Sequence, residues 1–403
     1  MELVGRDDIE AARAALAGVV RETPVTPSRV LEEAVNGPVL LKCENLQRAG
    51  SFKIRGAYRR IQRLTADERA AGVVAASAGN HAQGVALAAQ LLGTRATVFM
   101  PAGAPLPKVE ATREYGAQVE LVDSLDETFT AATDFAARTG AVLIHPFDHP
   151  DIVAGQGTVG LEILEQVPEV ATVVVCTGGG GLLAGIAAAC VPAGVRVVGA
   201  QAAGLAAWPP SLAAGAPTGV AGATIADGIA VSRPGDVTFA HVRALVDEIV
   251  TVDEEALARG VLRCLERDKL LVEPAGAAAA AAVAEYPGRW PAPLVAVVSG
   301  GNVDPVLLVD LVRRGLVAAG RYAALRVRLP DRPGYLADVL RLVGRAGGNV
   351  VDVEHRRLTA SGSGPGPVPG TVDVALTLEA RGHDHRAAIL AELAVAGYDV
   401  AAE

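Results

Sequence analysis

Lys53 stands in the stretch AGSFKIRGA, residues 49–57, framed by Phe52 and a Gly-flanked run. A second unusual run, SAGNHAQG, begins at Ser77, and a third, CTGGGGLLAG, begins at Cys176. In the third, Gly178, Gly179, Gly180 and Gly181 lie between a Val-rich strand pattern and a helix pattern beginning near Leu182. Adjacent glycines let a backbone fold tightly with its N–H groups turned into one concavity. The helix N-terminus adds partial positive charge, so the turn suits a phosphate. The Lys-Ser/Thr of a nucleotide P-loop is missing. A dinucleotide fold would want an acidic residue ending the next strand, and that strand ends at Gln201. A flexible turn is the plain alternative.

A lysine that forms an imine must be deprotonated, which burial and nearby positive charge favour. Arg55 is close in sequence and Phe52 could shield one side. Taken alone, Lys53 reads first as an ordinary surface lysine. A lysine imine together with a phosphate cradle fits pyridoxal 5'-phosphate. In the second run, Ser77, Gly79 and Asn80 suit a turn whose N–H groups hold a carboxylate, and Asn80 can bond a phenolic oxygen; a helix cap is the alternative. SGGN, Ser299 to Asn302, ends the last Val-rich run, where a hydroxyl could meet a ring nitrogen.

These turns need strands and helices to hold them. From about residue 70 to 300 the two alternate. GVVAAS (72–77), RATVFM (95–100), AVLIHP (141–146), TVVVC (172–176), VRVVGAQ (195–201) and LVAVVS (294–299) read as buried strands. HAQGVALAAQLLG (81–93) and LPKVEATREYG (106–116) read as helices. Such alternation predicts an α/β architecture with parallel-type sheets covered on both faces. Near residue 320 the character changes. The remainder reads strand, helix, strand, strand, helix, strand, with a Gly/Pro/Ser loop at 361–370, which predicts a small ferredoxin-like module. The expected division is a catalytic region 1–318 with a smaller lobe at roughly 50–150, a linker at 319–324, and a module at 325–403.

Composition narrows the function class. Of 403 residues, 51% are hydrophobic but only 3% aromatic, so the core is built from small aliphatic side chains. A net charge of −9 argues against a general nucleic-acid surface. No apolar run is long and uncharged enough to predict a membrane span, and the start lacks the pattern of a secretory signal. The cysteines, Cys43, Cys176, Cys190 and Cys264, form no C-x-x-C pair, so neither a disulfide framework nor a structural zinc site is expected. A reducing, cytoplasmic setting follows. HPFDHPD gathers His145, Asp148 and His149, a weak metal candidate set against a loop near the cleft, and no metal is expected. GHDHR, 382–386, reads as a solvated turn before a helix.

Taken in order, SFKIRGA, SAGNHAQG, GQGT (155–158), GGGGLLAG, TIADGIAV (224–231), EPAGA (273–277) and SGGN resemble the pyridoxal-phosphate-dependent serine/threonine dehydratases of the tryptophan-synthase-like fold (fold type II). The resemblance covers about residues 5–318. The final module, with PDRPGYLADV as its first turn and helix, resembles an ACT domain. The resemblance implies a threonine ammonia-lyase with L-serine as a slower substrate. It implies that Lys53 carries the cofactor and removes the substrate Cα proton. Gly178 to Gly181, with Leu182 behind them, would hold the phosphate. Asn80 would meet the ring 3-oxygen, Phe52 would pack beside the ring, and Ser299 would face the pyridine nitrogen. A neutral hydroxyl there makes a weaker electron sink, which favours loss of the β-hydroxyl over transamination. Ser77, with the backbone of Ala78, Gly79, Asn80 and His81, would bind the substrate carboxylate. Serine racemases carry a second serine where this chain has Ala78, so racemisation is expected to be poor. Relatives activated by metal place carboxylates where this chain has Gln201 and Ala207.

A serine-preferring or 3-hydroxyaspartate dehydratase of the same fold is the nearest alternative, and a catalytically silent amino-acid sensor is one of another class. The ACT-like module is expected to bind a branched-chain amino acid such as isoleucine or valine, or to serve as an oligomerisation surface. A homodimer or homotetramer is expected either way.

Overall fold

The computed structural model describes residues 2–356 and 370–402, and these form two compact units, Met1–Leu308 and Val309–Glu403. In the first unit two sheets carry the turns named above. The larger has six strands in the order Val25–Pro27, Val39–Cys43, Leu294–Val298, Thr172–Cys176, Arg196–Ala202, Glu248–Val252. All its pairings are parallel except the first. The smaller sheet is parallel throughout, ordered Gln118–Val122, Ala96–Pro101, Val73–Ala76, Val142–Leu143. Thr172–Cys176 and Leu294–Val298 are buried along their whole length, as the unbroken Val-rich runs require of strands covered on both faces.

The sequence reading and the structure part in a few places. The strand expected over 141–146 is Val142–Leu143 alone; Pro146, which has no N–H to give a ladder, lies beyond it and turns its carbonyl to another use. Val25–Pro27 and Val39–Cys43, too short or too mixed to stand out, complete the large sheet.

Helices Lys53–Gln62, Asn80–Leu92 and Pro150–Gln166 pack at backbone distance, and glycines make this possible. A Cβ on Gly84 would lie 3.1 Å from the Lys53 carbonyl carbon, and one on Gly155 would lie 2.6 Å from the Arg55 carbonyl oxygen. Beneath this contact lies a buried ionic cluster. Arg55 forks onto Glu44 through Nε and Nη2, each at 2.8 Å, and its Nη1 reaches Glu162 at 2.5 Å. Lys42 Nζ meets the other Glu162 oxygen at 2.6 Å. Burial alone would push the Glu44 carboxyl up; the Arg55 guanidinium outweighs it and holds that carboxyl below its ordinary value.

In the second unit, Asn349–Arg356, Thr371–Glu379, Tyr322–Pro330 and Asp399–Ala402 form an antiparallel sheet in that order. Helices Tyr335–Arg345 and His383–Val395 follow the first and third strands in sequence, giving the ferredoxin-like order. Val372, Val374, Leu376 and Leu378 alternate inward, the period-two pattern legible in the sequence. The first strand begins at Tyr322, inside the stretch read as a linker at 319–324, and most of helix Pro305–Ala318 groups with this unit. The Gly/Pro/Ser loop at 361–370 lies outside the described residues apart from Gly370. The GHDHR stretch is the first turn of a helix rather than a free turn. His385 accepts the Arg381 N–H at 3.0 Å through Nδ1 and bonds the Ala346 carbonyl at 2.7 Å through Nε2.

Removing one member of a buried ion cluster leaves the others uncompensated, which costs about 3–5 kcal/mol. Arg55→Met is therefore expected to lower the unfolding free energy of the first unit by an amount of that order, read in urea as a lower midpoint. A midpoint within error of the parent would show that the cluster contributes nothing to holding the Lys53 helix.

Candidate active site

A cavity of about 360 Å³ opens at the C-terminal ends of parallel strands from both sheets. This is where ligands enter open α/β folds. The Phe52–Lys53 pair, the Ser77–His81 turn, the Gly178–Leu182 stretch and Ser299 all line it. The separate turns are stitched together by backbone. Phe52 N–H donates to the Ser299 carbonyl at 3.2 Å, Gly301 N–H to Gly50 at 2.9 Å, and Glu273 N–H to Gly300 at 3.2 Å.

Lys53 opens helix Lys53–Gln62, and its Nζ donates to the Pro146 carbonyl at 3.0 Å. The Phe52 ring centroid is 5.3 Å from Nζ. Desolvation lowers the amine from an ordinary 10.5 to about 8, against the pull of Cys176 and Glu273. The expectation that Arg55 would help to lower it is corrected here. The guanidinium is spent on Glu44 and Glu162 and points its charge into them, so burial does the work.

The glycine turn caps helix Gly181–Cys190, with Gly180 at φ +97°. Trp208 Nε1 donates to the Gly178 carbonyl and Thr238 Oγ1 to the Gly179 carbonyl, both at 2.6 Å. With the carbonyls held outward, the orphan N–H groups of the helix start are left for a ligand. A side chain would not fit: a Cβ on Gly179 would sit 2.4 Å from the Phe147 ring, and one on Gly178 would sit 2.8 Å from the Ile229 Cα.

A second titrating group faces the same space. Burial pushes the Glu273 carboxyl up to about 7, with Asp227 adding to the rise and Lys108 opposing it. Glu273 accepts from Asn80 Nδ2 at 2.5 Å, and Asn302 Nδ2 donates to Asn80 Oδ1 at 2.8 Å. A neutral amine and a protonated carboxyl are thus both accessible near neutral pH, the usual division between base and acid. Ser299 Oγ accepts from the Cys176 thiol at 3.1 Å; burial raises that thiol to about 11, so it keeps its proton. Ser77 Oγ accepts the Gly79 N–H at 3.2 Å and shapes its turn. Burial lowers His81 to about 3, so the ring is neutral and donates through Nε2 to the Ile144 carbonyl at 2.8 Å. The Gln156 Oε1 atom is buried at the cavity wall without a partner.

The HPFDHPD residues have local tasks. His145 Nδ1 accepts the Asp148 N–H at 2.7 Å and His149 caps helix Pro150–Gln166. Asp148 accepts the N–H groups of Asp236, Val237 and Thr238, at 2.8–3.1 Å, at the start of helix Asp236–Leu245. Gln201 Oε1 accepts from Trp208 N–H at 3.0 Å. Among the described residues no group of three or more His, Cys, Asp or Glu side chains is gathered around a metal-sized space. Sequence reasoning gave no individual role to Phe147, Lys108, Asp227 or Cys176, all of which line the cavity. Phe147 lies in the proline-flanked loop already set near the cleft; nothing local distinguishes Lys108.

The family model of pyridoxal-phosphate-dependent enzymes matches residues 16–300, and that of the ACT domain matches residues 323–396. The chain belongs to the pyridoxal-phosphate-dependent enzymes. It is 44% identical to an L-threonine ammonia-lyase of Thermotoga maritima over 403 residues, 99% of each chain. Among solved structures it resembles the processed form of threonine deaminase isoform 2 from Solanum lycopersicum, with a TM-score of 0.72, 33% identity, and 78% of this chain and 95% of that one covered. It also resembles maize serine racemase, with a TM-score of 0.73, 38% identity, and 77% and 97% covered. The α/β catalytic fold and the ACT domain read from the sequence are those of this enzyme family. The cavity fits the family's cofactor: it offers a desolvated lysine, a helix-start phosphate cradle and a neutral hydroxyl at Ser299.

The lowered Lys53 amine can be measured on cofactor-free protein. Competitive acetylation across a pH series, read by peptide mass spectrometry, is expected to give half-reaction near pH 8 at Lys53. Half-reaction at the ordinary value of 10.5 would contradict its desolvation.

Proposed function

We propose that this enzyme is an L-threonine ammonia-lyase, converting L-threonine to 2-oxobutanoate and ammonia, with L-serine as a secondary substrate. The observation that carries the reading is the 44% identity to a relative of that name across 99% of both chains. Water leaves the substrate and water returns as the nitrogen departs, so the balance is one ammonia and one 2-oxo acid per threonine.

In this reading Lys53 is the attachment point of pyridoxal 5'-phosphate and the base that takes the Cα proton; its amine, near 8, is available for this around neutral pH. Gly178 to Gly181 and the Leu182 N-terminus hold the phosphate. Phe52 shields the ring and Asn80 meets its 3-oxygen. Ser299 meets its nitrogen as a neutral hydroxyl; its oxygen accepts from the Cys176 thiol, which leaves its own O–H to donate. Bound there, the cofactor supplies a sink for the electrons of the broken Cα–H bond. Ser77 and the turn through Ala78, Gly79, Asn80 and His81 hold the substrate carboxylate at the start of helix Asn80–Leu92. Ala78 has no proton to give the opposite face, so product is the oxo acid rather than the D-amino acid.

The ACT domain is a site for an amino-acid effector, with a branched-chain amino acid as the ligand, and the whole is a homodimer or homotetramer working in the cytoplasm. No described helix is long and apolar enough to cross a membrane.

The test is a substrate panel on the full chain. kcat/KM for threonine is expected to exceed that for serine and for 3-hydroxyaspartate, and isoleucine or valine is expected to raise the threonine concentration at half-saturation. Higher kcat/KM for serine or for 3-hydroxyaspartate would replace the substrate assignment. Saturation unmoved by every branched amino acid would remove the effector assignment.

A further inference from the structure

We propose that Lys108 is the cation that recognises the substrate's α-carboxylate, and that Asp227 holds it in place until substrate arrives. The proposal rests on the amino-acid substrate assigned above. Among the described residues lining the cavity, the lysines are Lys53 and Lys108, there is no arginine, and His81 is neutral. Lys53 is committed to the cofactor. An amino-acid carboxylate entering this space also faces the carboxyl groups of Asp227 and Glu273, so a turn of backbone N–H groups alone would bind it against local negative charge. Lys108 is the side chain placed to offset that.

The geometry supports it. Lys108 lies on helix Leu106–Glu114, with its side chain 10% exposed, and its Nζ bonds Asp227 Oδ2 at 2.5 Å. A Cβ built on Gly79 would lie 3.9 Å from Nζ, so the ammonium stands beside the Ser77–His81 turn. An ammonium carries three donors and Asp227 accepts from one of them, which leaves capacity for a second oxygen anion. Asp227 is 53% exposed, so water can take over its solvation when a substrate carboxylate competes for the lysine. A fully buried counter-ion could not be displaced so cheaply. Glu273 senses both partners, raised by Asp227 and lowered by Lys108, which places all three within one electrostatic field.

The test compares ligands with and without a carboxylate. L-2-aminobutanoate has no β-hydroxyl to lose, and 2-amino-1-butanol replaces its carboxylate with an alcohol. Inhibition constants for both are measured on the holoenzyme of the parent, Lys108→Met, Lys108→Arg and Asp227→Asn. A charge-assisted hydrogen bond is worth about 1.5–3 kcal/mol, so Lys108→Met is expected to weaken aminobutanoate binding about 10- to 100-fold. The amino alcohol should be unaffected, and Lys108→Arg should restore part of the preference. KM for threonine should rise with the loss while kcat changes less. Asp227→Asn should keep the preference for the acid. Equal loss for acid and alcohol in Lys108→Met, or equal effects of Lys108→Met and Asp227→Asn, would mean that the pair is a structural clasp, and would overturn the proposal. Unchanged acid binding in Lys108→Met would overturn it as well. A parent that discriminates acid from alcohol through Lys108 but does not turn over threonine would instead sink the substrate assignment alone.

Discussion

Lys53 has been taken out of water without being given a carboxylate of its own, and its nearest hydrogen-bond partner is a neutral carbonyl, that of Pro146. That arrangement penalises the ammonium and favours the amine. It can persist only if the chain around it is held firmly, and the packing shows how. Gly84 and Gly155 bring two helices onto the backbone of the Lys53 helix, and Arg55, two residues on, is locked by Glu44 and Glu162. The cluster's charges are satisfied among themselves, so the nearby arginine anchors the helix without setting the amine's protonation.

The rest of the cavity is arranged by the same separation of tasks. The glycine turn faces its N–H groups one way because Trp208 and Thr238 hold its carbonyls the other way. Ser299 is kept beside a thiol that burial prevents from ionising, so the thiol offers it no anion. Asp227, Lys108 and Glu273 line the same cavity, with Glu273 against the Ser299–Gly300 turn, and adjust one another. Asp148 reaches from the loop after the smaller sheet to cap helix Asp236–Leu245, which ties the Phe147 wall to the large sheet's helices.

Much of this was legible in the sequence because the site lies in turns that follow buried strands. Val-rich runs announce such strands, and glycine, serine and asparagine announce the turns. The Ser77–His81, Gly178–Leu182 and Ser299 segments were placed on that basis, and each lines the cavity. What was not legible depends on contact across long separations. Lys108 meets Asp227 from another part of the chain, and its helix shows no pattern that marks it. Val39–Cys43 is a strand because it pairs with Leu294–Val298 on one side and Val25–Pro27 on the other, and Val25–Pro27 because it closes that edge, not because their own residues demand it. Arg55 misleads for a related reason: its sequence neighbour is Lys53, but its partners are Glu44 and Glu162. In the second unit the alternation of Val372 to Leu378 was sufficient, since one face of an antiparallel sheet is buried and the pattern is local.

The central claim is that the desolvated lysine facing the glycine turn is where the cofactor is held. Borohydride reduction of the protein loaded with pyridoxal 5'-phosphate, followed by peptide mass mapping, tests it most directly. The account predicts one phosphopyridoxyl group per chain, on Lys53. A label on Lys108 or any other lysine, or no label at all, would contradict it.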